Sequence, residues 1–165
     1  MTCILNYCSG QPTANLLVIF YYLTAVLATL GLAYRANSRM VRTAASLVGI
    51  CWVFGLFAYL YLGVASYYLV AVMLDTILAY QFWRMGKVSL FAVPLFYFQM
   101  LDIAFIVFAQ SVGLSNFMTM FVLNRGFELT LLYLAGCSLF RLHILHLQKI
   151  SKEPITDWRV RFVAA

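Results

Sequence analysis

The chain has 165 residues, of which 65% are hydrophobic and only 10% charged, and its mean hydropathy is +0.93. Soluble domains are about 45–50% apolar and about 25% charged, so this composition argues against a water-soluble fold and leaves no room for a second folded unit. The net charge of +6 does not point to nucleic acid, because the cations flank apolar stretches, as the positive-inside rule describes.

The first 34 residues contain no Lys, Arg, Asp or Glu, so they lack the basic start of a secretory signal peptide. Cys3 and Cys8 precede the first apolar stretch. On an oxidising side of a membrane they could close a small disulfide loop, or they stay as free thiols. The first span runs from about 14 to 34, long enough for a hydrocarbon core of about 30 Å. Its stripe Ala25, Thr29 and Ala33, like Ala45 and Gly49 in the second span, favours close helix contact within a bundle or between subunits.

Residues 43–83 hold one charge, Asp75, and no proline. As one helix they would extend about 60 Å, twice the core thickness. The chain therefore turns, best at Gly63-Val64-Ala65-Ser66, where glycine and small residues coincide. This divides the stretch into spans at about 43–62 and 66–83. Tyr59, Tyr61, Tyr67 and Tyr68 around the turn form one interfacial belt, and Tyr34 and Trp83 suit the opposite one. The fourth span covers about 88–110, with Pro94 expected to kink it. The fifth covers about 117–140, or, in a shifted register, begins near Gly126 and ends near Leu147. The basic tail 141–165 is expected to rest on anionic headgroups through Trp158, Phe162 and its Lys and Arg residues.

Of the eleven Lys and Arg residues, all but Arg125 fall in three places: Arg35, Arg39 and Arg42; Arg84 and Lys87; and the segment from Arg141. Placing all three inside gives an all-α, polytopic transmembrane bundle of five spans, N-terminus out and C-terminus in. The whole of residues 1–165 reads as one integral membrane domain, in a plasma or bacterial inner membrane.

Arg125 and three of the five acidic residues, Asp75, Asp102 and Glu128, lie inside spans. Buried ionisable groups cost about 2.5–3.5 kcal/mol at a helix centre, and they usually face protein or water and have partners. At 1.5 Å per residue all four fall about 12–16 Å from the outer ends of their helices. Gln99 shares a helical face with Asp102, and Asn124 shares one with Arg125 and Glu128. These six residues are read as a polar layer joining spans three, four and five. One arginine cannot neutralise three carboxylates, so at least one acid is expected to be protonated, hydrated or bound to a cation.

Other signals are weaker. His143 and His146 share a face near the inner boundary and are the only candidates for metal ligands. Cys51 and Cys137 read as small core residues. Nucleophile-elbow, zinc-protease and P-loop motifs are lacking, and no cofactor is indicated. The leading expectation is a non-enzymatic membrane protein that transports or coordinates a proton, cation or small polar solute. Its partners are membrane lipids and further copies or a larger complex. An accessory subunit is the alternative, and a lipid-acting enzyme the second alternative.

Overall fold

The computed structural model describes residues 12–62 and 64–151. Among these residues it contains five α-helices and no strand: α1 Pro12–Arg35, α2 Arg39–Tyr61, α3 Val64–Gly86, α4 Ala92–Val112 and α5 Asn116–Ser151. Four helical stretches are long and apolar enough to cross a membrane: Leu16–Arg35, Arg39–Tyr61, Ala92–Val112 and Asn116–His146. The chain is thus a multi-pass integral membrane protein. The helix outside that set is α3, which carries Asp75, Gln81 and Arg84.

The helix boundaries have local causes. Asn37 turns the chain between α1 and α2 with φ of 50°, a left-handed conformation that asparagine tolerates. Ser38 then caps α2, its hydroxyl oxygen accepting from the Val41 N–H at 3.5 Å. Gly113 ends α4 with φ of 70°, the left-handed stop that costs glycine little. Ser115 opens α5 by accepting from the Met118 N–H at 3.4 Å.

The fourth helix departs from the expected boundary. Residues near Val88 form a turn, with the Val88 and Ser89 N–H groups both donating to the Met85 carbonyl, and α4 begins only at Ala92. Pro94 therefore sits in the first turn of α4. Its missing N–H would have had no helical acceptor there, so proline starts this helix and does not kink it.

Short connections leave successive helices as packed neighbours, with α3 and α4 the most extensive pair. The ring closes where α5 packs back against α1, and α5 also touches α2. The expected small-residue stripes lie inside this ring. Ala33, Ala45 and Thr29 are buried, and a Cβ added at Gly49 would meet Val26 and Leu30 at 3.4 and 3.5 Å. Both stripes serve the α1–α2 contact.

The two ends of the bundle differ. The end that carries Arg35, Arg39, Arg42, Arg84 and Lys87, here called the basic end, is close-packed. Its core holds Ala33, Val41, Ala44, Phe82, Phe91, Leu95 and Leu134. Tyr133 spans the core to donate a hydrogen bond to the Phe91 carbonyl at 2.9 Å, closing the turn before α4. Around the rim Lys87 lies 3.7 Å from the Trp83 ring centre and Arg42 5.9 Å from that of Tyr34, the amphipathic pairing of a headgroup layer. At the opposite, tyrosine end, Tyr59, Tyr67 and Tyr68 form edge-to-face pairs, and Tyr68 donates to the Asn116 carbonyl at 3.5 Å. On the outer surface the hydroxyls of Thr24, Thr76 and Ser111 donate to the carbonyl four residues back, which removes an unpaired polar group from a lipid-facing wall.

Candidate functional site

Between the packed basic end and the tyrosine end lies a half-open cavity of about 410 Å³ lined by all five helices. It extends from Tyr59, Tyr67 and Phe117 near the tyrosine end down to Val48, Leu78 and Gln99. Val48 and Leu78 belong to the close-packed core, so the floor of the cavity is the top of that core. The volume falls in the range of small-molecule sites, about 300–1,000 Å³.

Two carboxylates face this space. Asp75 projects from α3, with Ala71 one turn earlier on the same wall, and Asp102 projects from α4 beside the buried Gln99. Asp102 is seated against α5. A Cβ built on Gly126 would collide with its Oδ1, and the carboxyl carbon and Oδ2 lie 3.1 Å from the same point. Glycine at 126 therefore lets α5 approach the acid on α4. Asn124 reaches the wall from α5.

Arg125 and Glu128 stand apart from this group. They form an ion pair with each other, one turn apart on α5. Glu128 uses its second oxygen to accept from the Tyr22 hydroxyl of α1 at 2.9 Å. The Arg125 side chain is 58% exposed, against 17% for Glu128, and its guanidinium lies 5.2 Å from the Phe121 ring centre. Neither residue lines the cavity. The expected layer of six thus divides in two: Asp75, Gln99, Asp102 and Asn124 on the cavity wall, and Arg125 with Glu128 behind it, the latter bound to Tyr22 of α1, which itself lines the cavity. Arg125, expected to face up to three carboxylates, has one partner, because its own helix supplies an acid at the spacing where side chains meet. It is the only Lys/Arg–carboxylate ion pair among the described residues. Asp75 and Asp102 have no basic partner there.

The remaining candidates carry less. His143 and His146 are exposed on α5, and among the described residues no three His, Cys, Asp or Glu gather as a metal site would need. Cys3, Cys8 and the tail beyond Ser151 lie outside the described residues. Cys51 and Cys137 are free, half-buried thiols packed against the apolar core, and Cys51 also lines the cavity. The sequence assigned Tyr59 and Tyr67 to an interfacial belt and gave no site role to Tyr22, Trp52 or Gly126. A tyrosine in mid-span, and a glycine between an arginine and a phenylalanine in a charged turn, were the signals available.

No protein-family model matches the chain, and neither does any curated protein or solved structure.

Proposed function

We propose that the chain crosses a plasma or bacterial inner membrane five times, N-terminus outside and C-terminus inside, as one domain over residues 1–165. In this topology the basic end faces the cytoplasm and its anionic headgroups, and the cavity is entered from the outer side. The supporting features are the one-sided cations, the Trp83–Lys87 and Tyr34–Arg42 pairs at their end, and the place of α3. That helix has 23 residues and packs between α2 and α4. Its polar residue Asp75 turns toward the cavity and not toward lipid.

The cavity binds a cation or small polar solute, and inward transport would begin from it. One observation carries this reading: two acids share a half-open cavity with no cation beside them among the described residues, while Arg125, the cation at their level, is already held by Glu128. Uncompensated carboxylates in a poorly solvated space are expensive, so water, a proton or a bound cation must offset them. The close-packed basic end makes this an outward-facing pocket with a closed floor, and passage would require the core around Leu78, Phe82 and Leu95 to part.

Cys51 offers a native reporter. In a variant keeping Cys51 alone, its modification is followed with a trimethylammonium-bearing and a sulfonate-bearing methanethiosulfonate added from outside. Normalised to a free thiol, the cationic reagent should react faster by at least about tenfold, since a cleft of one charge sign raises counter-ion on-rates by about 10–1,000. Asp75→Asn and Asp102→Asn should narrow that ratio. Equal rates for both reagents, or reaction only from the inner side, would refute the proposal.

A second reading, an accessory or oligomeric subunit, is favoured by Arg125. A cation more than half exposed on the wall of a membrane bundle is better placed under a partner than under lipid. Native mass spectrometry of the wild type and Arg125→Leu tests it. Loss of an oligomer in the variant supports it, and a monomer in both refutes it.

A further inference from the structure

The walls of the cavity narrow the class of ligand. The acids come from the neighbouring helices α3 and α4, whereas α2 and α5 contribute Trp52, Tyr59 and Phe127. Tyr59 and Tyr67 meet edge to face at 5.7 Å, and Phe127 is held edge to face by Tyr22 at the same separation. Rings held in this way keep their places on the cavity wall.

We propose that the occupant is an organic ammonium ion, its charge against Asp75 and Asp102 and its alkyl groups against Trp52, Tyr59 and Phe127. This rests on the reading of the cavity as an outward-facing cation site. Three observations favour an ammonium over other cations. The volume of about 410 Å³ far exceeds a bare metal ion or a proton. A hard cation such as calcium takes 6–8 oxygen ligands, and among the described residues no third acid, histidine or cysteine joins the pair. Trp and Tyr faces attract ammonium groups through the ring quadrupole, and such cages recognise quaternary ammonium ligands. An anion is repelled by the two carboxylates, and a neutral solute would leave their charge to protons or water and gain nothing from it.

The ammonium has two sources, a free solute or the headgroup of a lipid. The test uses the protein in nanodiscs of phosphatidylglycerol, with protection of Cys51 from the cationic thiol reagent as readout. Choline and benzyltrimethylammonium are compared with 3,3-dimethylbutan-1-ol, the uncharged counterpart of choline, and with calcium. The expected result is protection by both ammonium ions, with the alcohol weaker by about tenfold or more, and little effect of calcium. Trp52→Leu should weaken protection by roughly 5–30-fold while the reagent still reaches Cys51. Asp102→Asn should weaken it too, and monodispersity on size exclusion would show that each variant folds. Nanodiscs of phosphatidylcholine separate the sources. Protection without added solute assigns the ammonium to a lipid headgroup, and protection only on adding choline assigns it to a free solute. Equal protection by choline and the alcohol, or stronger protection by calcium, would overturn the ammonium assignment. So would failure of every ammonium to protect a Cys51 that still discriminates reagent charge, which leaves the outward cation site standing. Loss of that discrimination removes the site itself.

Discussion

Replacing Gly126 by alanine tests the contact that positions Asp102. The new methyl would overlap Oδ1, and the carboxyl carbon and Oδ2 are both 3.1 Å away. With the whole carboxyl group so near, rotation about its terminal bond gives no relief. The side chain must change its first rotamer, or α4 and α5 must part. Overpacking of this kind costs about 1–3 kcal/mol. Alanine returns about 1 kcal/mol of helix propensity relative to glycine. The net expectation is a loss of about 0–2 kcal/mol, which at roughly 2–4 °C per kcal/mol lowers Tm by up to about 8 °C. The decisive comparison is with Asp102→Ala. Once the carboxyl is removed the methyl has room, and Gly126→Ala should then stabilise by up to about 1 kcal/mol. A double-mutant cycle read by thermal unfolding in detergent should therefore show a coupling of about 1–3 kcal/mol. Additive effects, with Gly126→Ala equally costly in both backgrounds, would refute the argument that glycine is there to seat the acid.

Two further outcomes follow from the same geometry. Tyr22→Phe removes the donor to Glu128 and should cost about 1.5–3 kcal/mol, since the acceptor is charged and only 17% exposed; Tyr21→Phe, at an exposed ring on the same helix, should leave Tm unchanged. Equal melting temperatures for the two variants would show that the link from α1 to α5 contributes nothing. The crossing of α3 is tested by single cysteines at the exposed Ser66 and Lys87. Ser66→Cys should be labelled only from outside and Lys87→Cys only from inside, and labelling of both from one side would end the five-span topology.

Membrane character and the helix pairs were legible in the sequence, because a lipid solvent imposes local rules. Every span must satisfy its own backbone bonds and remain apolar for about 20 residues, and cations mark one side. The turn placed near Gly63 and the stripes at Ala33 and Gly49 followed from such local signals, and the helices do break and pack there. Pro94 was misjudged because a span is defined by hydropathy and a helix by hydrogen bonds. Residues near Val88 are apolar enough for the first but are held in a turn by the Met85 carbonyl.

The depth of the ionisable groups could also be counted from the sequence, but not their direction. Depth follows from rise per residue, whereas facing depends on how each helix is rotated against its neighbours. That rotation emerges only when five helices close into a ring. It turned Asp75 and Asp102 into a common cavity, set Glu128 between α5 and α1, and left Arg125 more than half exposed. The aromatic wall has the same origin: Trp52 and Tyr59 are distant in sequence from both acids, and only the packing of α2 against α3, and of α5 against α2, brings them around one space. The sequence by itself determined a membrane bundle with acids at one level. The tertiary structure decided which acids share a pocket, because side-chain partners across helices are set by rotation and packing, which no single helix encodes.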